Sequence, residues 1–228
     1  LEMALFYRGD HQLDNRALLD ALIAAAKKSG VEIRSGTKVD RLHKEGDRIT
    51  GVETGGETLA AKTVVLSAGA WTPQIVTGEN VPVYPTRGQI IAVHSDRPLL
   101  RHTLRYEGGY VAVFPDNRLL LGGTMEDAGF NKVNTAEAMG RIFSRAEAAV
   151  PSIGRCEFVE AWSGLRPNSS DHSPILGPAS REGLIYATGH FRNGMLLTPI
   201  TADLISTVVE TGRVPPEIEP FGIQRFLS

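Results

Sequence analysis

Thr63-Val64-Val65-Leu66-Ser67-Ala68-Gly69-Ala70-Trp71 is the stretch that decides the fold. Its start is a continuous run of β-branched and apolar residues. Such a run suits a strand buried on both faces of a parallel sheet, not the alternating pattern of a half-solvated one. It ends at Ala68-Gly69, where a glycine lets backbone approach a ligand closely. Parallel strands need helices on their faces, so the expected class is mixed α/β.

Upstream, Asp14 is placed to cap a helix with Leu18, Leu22, Ala25 and Ala26 on one face, and Gly30 stops it. Lys27 and Lys28 suit the negative end of that helix. Strands are predicted over 31–34, 39–42, 49–53 and 57–60, with Gly46-Asp47 and Gly55-Gly56 as turns. Downstream the character becomes β-rich: strands over 88–94, 102–106, 109–114 and 118–123, the last two joined by Pro115-Asp116-Asn117. Asn134-Thr135-Ala136-Glu137 reads as a capping box opening a helix that runs to about Val150. Strands over 157–165 and 184–188 follow, then a helix from about Gly194 to Thr211 ended by Gly212. The early helix and its strands read as part of a larger wound sheet, and the central antiparallel strands as a second layer.

The bulk properties narrow the function. Of 228 residues, 42% are hydrophobic and 22% charged, which is ordinary for a globular protein. Twenty-four Lys and Arg against 26 Asp and Glu leave a net charge of −2, so no basic excess is available for nucleic acid or an anionic membrane. The single Cys156 excludes an internal disulfide. No apolar run reaches a membrane-spanning length, and a reducing, cytoplasmic setting is the expectation. The six histidines show no ligand spacing, so no metal site is expected. Asp171-His172-Ser173 cannot form a triad from adjacent loop positions, and Glu217 and Glu219 near Pro215-Pro216 read as a solvated tail. The chain opens Leu1-Glu2-Met3 and so reads as trimmed or as the later part of a longer polypeptide.

Two segments carry chemistry. In Gly164-Leu165-Arg166-Pro167, an arginine is fixed between a strand end and a proline. Its planar fork suits two-point binding of a carboxylate, although most arginines serve in ordinary salt bridges. In Gly189-His190-Phe191-Arg192-Asn193-Gly194-Met195-Leu196, a glycine-spaced loop meets a helix start, a ready site for an anion or a polarised oxygen, or an ordinary strand–helix connection.

Together these segments resemble the D-amino acid oxidase family of flavoproteins, and within it the bacterial glycine oxidases of thiamine biosynthesis. Phe6-Tyr7-Arg8-Gly9-Asp10, the stretch from Asp14 to Leu19, and the run from Val64 to Trp71 are similar to further parts of that family. The resemblance implies a two-domain oxidase fold: residues 1–80 as part of an FAD-binding domain, 81–165 as a mainly antiparallel substrate-binding domain, and 166–228 returning to the FAD-binding domain with a C-terminal helix. It implies that Arg166 binds the substrate carboxylate, helped by Tyr110, with Met125 lining the pocket and Arg192 near substrate and flavin. The same strand tyrosine and thioether also read as plain core residues. It further implies FAD contacts from Val39, Ala68, Gly69, Trp71, Gly189, Arg192, Asn193, Gly194, Met195 and Leu196. The implied reaction is oxidative deamination of glycine, sarcosine or a D-amino acid to a 2-oxo acid, ammonia and H2O2, with O2 as acceptor. The alternatives are an FAD-dependent dehydrogenase, the flavin module of a tRNA-modifying enzyme, and a non-catalytic fragment. One departure stands out: no Gly-x-Gly-x-x-Gly turn is present. A missing N-terminal half is therefore an expected partner, and so is self-association to cover exposed apolar faces.

Overall fold

Asp14 opens the first helix, as expected, accepting from the N–H groups of Arg16 at 2.9 Å and Ala17 at 3.2 Å. The computed structural model describes residues 4–9, 11–76 and 78–227. Asp10 and Leu1-Glu2-Met3, named above, lie outside the described residues. Helix α1 spans Asn15–Lys28, and none of its residues is buried. The strand expected over 31–34 does not form: Val31 and Ile33 are exposed, and that segment pairs with no strand among the described residues. Apolar character alone makes no strand without a ladder partner.

Strands β1 (Arg41–Glu45), β2 (Arg48–Thr54) and β3 (Glu57–Ala60) form an antiparallel meander. β1 starts two residues later than expected, and only its Arg41 to Glu45 pair with β2. β4 (Val64–Leu66) is followed by a tight turn and the short helix α2 (Thr72–Ile75). Then come β5 (Val83–His94), β6 (Leu104–Tyr106), β7 (Gly109–Val113) and β8 (Arg118–Gly122). Helix α3 spans Ala136–Ala149. Its cap is Thr135, not Asn134, because the hydroxyl of Thr135 accepts from Ala138 N–H. β9 (Glu157–Ser169) runs past the expected end, so Arg166 lies inside a strand and not at its terminus. β10 (Ile175–Pro178) was not foreseen; β11 (Leu184–Thr188) and α4 (Gly194–Thr211) follow as read.

Three sheets result: β1-β2-β3, β10-β11-β4, and the five-stranded β6-β7-β8-β5-β9. β4 pairs with β11 in parallel, as its composition required. β11 alternates faces: Leu184 and Tyr186 join one core with Ile49 and Leu66, while Ile185 joins α4 through Ile205 and Val208. The five-stranded sheet buries Ile91, Val111 and Leu121 against Ile142 and Ala146 of α3, a helical i, i+4 pair.

The segment after α4 is not a solvated tail. Glu217 and Glu219 are exposed, but Ile218 and Ile223 are buried, and Arg225 donates to Asp171 at 2.8 Å and to the carbonyl of Pro174 at 2.9 Å. The Arg225 guanidinium holds the Asp171 carboxyl at about 2 instead of 3.8. A folded value below the ordinary one means this pair stabilises the protein above about pH 4, and that the contribution is lost as pH falls from there toward 2. Asp171→Asn is expected to cost about 1 kcal/mol near neutrality, roughly 2–4 °C in Tm, allowing for solvent screening. The gap from the natural chain is expected to close in acid. Melting curves across pH 2–7 check this, and a gap independent of pH would remove the assigned role.

Candidate active site

Register dictates which side chains of the five-stranded sheet share a face, since opposed residues point the same way and successive ones alternate. Arg105 pairs with Tyr110, Tyr110 with Gly122, Gly122 with Ile90, and Thr86 with Arg166. Counting in twos along β5 sets Thr86, Gly88 and Ile90 on one face, so Arg105, Tyr110 and Arg166 share it. Ile91, Val93, Val111 and Leu121 take the other, under α3.

A cavity of about 620 Å³ opens on that face and reaches past the sheet end to Arg141 and Arg145 of α3. Tyr110, Met125, Arg166 and Arg192, the four expected catalytic residues, all line it. Arg166 is partly buried, and its Nη1 donates to the Thr124 carbonyl at 3.0 Å. Burial lowers its pKa, and nearby Arg192 adds to this while Tyr110 opposes it. A guanidinium stays charged under such shifts. Among the described residues no carboxylate lies within ion-pair distance of it. A cation held by one neutral carbonyl in a cavity is poised for an anion. Burial raises the pKa of Tyr110, which remains a neutral hydroxyl donor beside that guanidinium.

Two glycines make this arrangement possible. A Cβ on Gly88 would overlap the Arg166 guanidinium, and one on Gly122 would overlap the ring of Tyr110. Neither was singled out from sequence, although a glycine inside a strand pattern signals close approach.

Behind the cavity a polar network holds the loop that carries Met125. The Arg87 side chain is 9% exposed and bridges Glu126 at 2.6 Å. Gln89 is fully buried, donates to both Glu126 oxygens at 2.9 Å, and accepts from Thr135 N–H at 2.9 Å. Burial alone would raise the Glu126 carboxyl, but hydrogen bonds from Gln89, Thr124 and Arg87 hold it below the usual range. This network also escaped the sequence reading, because buried polar pairs leave no periodic signal.

The loops leaving β4 and β11 depart from the same sheet edge. Gly69 (φ 54°) accepts at its carbonyl from Thr72 Oγ1 at 2.8 Å and Thr188 Oγ1 at 3.2 Å. The turn it begins packs on β5 and β9. Gly189 (φ 75°) and then Phe191 (φ 48°) take left-handed conformations, unusual for so bulky a residue as Phe191. The N–H of Phe191 donates to the Pro167 carbonyl at 2.8 Å, next to Arg166. Asn193 caps α4 without a side-chain hydrogen bond, so the first-turn N–H groups lack intrahelical partners at the positive end of the helix. Trp71, Met195 and Leu196 present exposed apolar surface. Donors, a cation and apolar surface of this kind fit a planar group rich in acceptors. Ala68, Gly69, Trp71 and the residues from Gly189 to Leu196 therefore lie on the two loops beside the cavity. Val39 precedes β1 and is not among the residues that line the cavity holding Arg166. The His190 imidazole, its pKa lowered by burial, shares a hydrogen bond with Thr201 at 3.0 Å.

The family described as DAO, FAD dependent oxidoreductase, matches residues 1–207. The chain is 37% identical over 228 residues to the hydrogen cyanide synthase subunit HcnC of Pseudomonas aeruginosa, covering 98% of this chain and 55% of that protein. It is similar to the crystal structure of glycine oxidase from Geobacillus kaustophilus, with a TM-score of 0.84 at 34% identity over 91% of this chain and 57% of that one. It is also similar to iminodiacetate oxidase from Chelativorans, with a TM-score of 0.83 at 27% identity over 91% of this chain and 57% of that one. The chain thus spans little more than half the length of these relatives. No helix among the described residues is long and apolar enough to cross a membrane.

Gly88→Ala is expected to push the Arg166 guanidinium off Gly88 and break its bond to Thr124. The overpacking cost is about 1–3 kcal/mol. A crystal structure and a melting curve of the variant test this, and an unmoved arginine would refute it.

Proposed function

The chain belongs to the DAO family of FAD-dependent oxidoreductases, and from that premise we propose that its cavity binds a small amino acid for oxidation at the carbon–nitrogen bond. The observation that carries this reading is Arg166: a partly buried guanidinium with no acid partner among the described residues, on an open sheet face beside the hydroxyl of Tyr110. Its fork takes a substrate carboxylate at two points, and Tyr110 donates a third hydrogen bond. Glycine and iminodiacetate, named for two of the similar oxidases, both carry an amine one carbon from a carboxylate.

In this reading Ala68, Gly69, Trp71, Gly189, Arg192, Asn193, Gly194, Met195 and Leu196 hold the FAD. The glycines would admit close backbone approach, the first-turn N–H groups of α4 would serve acceptors of the FAD, and the exposed apolar side chains would cover its ring. FAD, when bound, supplies a two-electron acceptor. The free N–H groups and Arg192 stabilise negative charge developing next to them. The cavity lining contains no Asp, Glu or His. The chain therefore fixes the substrate by its carboxylate and orients the α-carbon, without a side chain suited to exchange protons there. The net reaction is amino acid, O2 and water giving 2-oxo acid, ammonia and H2O2.

Anaerobic mixing of the flavin-loaded protein with glycine or sarcosine is expected to bleach the flavin absorption, and admitting air to release H2O2 in stoichiometric amount. Bleaching without peroxide would mean a dehydrogenase. Arg166→Ala loses two charge-assisted hydrogen bonds, so kcat/KM is expected to fall about a hundredfold or more, with flavin content kept. Unchanged turnover would defeat the carboxylate assignment.

A further inference from the structure

The cavity carries more positive charge than one carboxylate requires. Arg141, Arg145, Arg166 and Arg192 line it and no acid among the described residues does, in a chain whose net charge is −2. Its volume of about 620 Å³ lies in the range of sites for drug-sized ligands and far exceeds a glycine. The charge is also distributed. Arg166 and Tyr110 stand on β9 and β7; Arg145 stands on α3 and Tyr106 on β6, at the far end of the same cavity.

The far end repeats the pairing of guanidinium and phenol. Arg145 donates only to a neutral carbonyl, that of Gly108, at 3.3 Å. No carboxylate lies within ion-pair distance of it among the described residues. The Tyr106 hydroxyl lies within electrostatic reach of Arg145 and is buried without a hydrogen-bond partner. Arg141, one helical turn earlier, meets Glu126 at 3.9 Å and Glu137 at 3.7 Å, separations too long for hydrogen bonds. This end therefore offers the Arg145 guanidinium and the Tyr106 hydroxyl without a carboxylate partner for either among the described residues.

We propose that the cavity takes an amino acid bearing a second acidic group, with one carboxylate on Arg166 and Tyr110 and the other on Arg145, flanked by Arg141 and Tyr106. This rests on the amino-acid reading above and names its substrate class. Arg145 is exposed, so its hold weakens as salt screens it.

The test uses the flavin-loaded protein and two acids that cannot be oxidised at an amine, succinate and butyrate, titrated by the shift in flavin absorption at low salt. Succinate is expected to bind about tenfold more tightly than butyrate, as one added charge-assisted contact gives. In Arg145→Gln the ratio is expected to fall to about one, and in Arg141→Gln to fall part of the way. Melting curves confirm that both variants fold. Equal affinity of the natural chain for the two acids, or a ratio that survives Arg145→Gln, overturns the inference and leaves the amino-acid reading standing. If neither acid binds and glycine fails to bleach the flavin, both readings fall together.

Discussion

The ladder between β5 and β9 is the constraint on which the rest of the molecule depends. It runs from Val83 paired with Ser169 to His94 paired with Glu157, and β5 serves two cores along its length. Val83 is buried with β4, β10 and β11, while Ile91 and Val93 are buried under α3. One pair of strands thus fixes the wound sheet and the antiparallel sheet relative to each other. Arg166 lies on that ladder, where a register slip of one residue would turn it to the opposite face. The ladder's only irregularity falls between Ala92 and Val93, toward the end remote from Arg166. Pro167, which cannot donate to a ladder, is tolerated because β9 is the sheet's edge strand.

Holding a cation in such a place is unfavourable unless something answers it. Burial pushes the Arg166 pKa down, the mark of a charge partly stripped of water. Elsewhere this chain pairs its buried cations: Arg87 has Glu126, and Arg225 has Asp171. The contrast separates these paired arginines from one with no carboxylate partner among the described residues. The Arg87 bridge ties Glu126 and Gln89 to the cap of α3, and breaking it would strand a charge with little solvent. That rigidity lies directly behind the loop bearing Thr124, whose carbonyl sets the angle of Arg166.

Much of this was legible in the residues. Asp14, Gly30 and Gly212 mark helix ends by backbone chemistry that acts within a few residues, and the Val64–Leu66 run announces a parallel strand. Arg166, Tyr110, Met125 and Arg192 were placed by resemblance, and the fold brings them into one cavity. What escaped the reading is set by tertiary partners. The 31–34 segment has strand composition but no neighbour. The far ends of β5 and β9 exist only because each pairs with the other. Gly88 and Gly122 fall inside predicted strands, and only the side chains lying over them show why no Cβ fits there. Thr135 displaces Asn134 as the cap because the helix starts where Gln89 holds the Thr135 N–H. Val39, which the resemblance assigned to the cofactor, precedes β1 and lies apart from the loops after β4 and β11.

Pro167 joins the strand bearing Arg166 to the loop that leads into α4. Its own position in β9 fixes the backbone of Arg166, and its carbonyl receives the N–H of Phe191 at 2.8 Å. Phe191 makes that bond in a left-handed conformation, after which Arg192 lines the cavity and Asn193 caps α4. The stack of Phe191 on His172, at 5.4 Å, and the bond from His172 to Asn168 brace the bend from the β9 side. Strain of this kind persists where surrounding contacts over-determine it. The backbone that carries Arg166 and the N–H groups at the start of α4 are therefore linked by one hydrogen-bonded joint. The joint fixes the two backbones, and the bond from Arg166 to the Thr124 carbonyl fixes the side chain, the kind of support that holds a site to a narrow geometry.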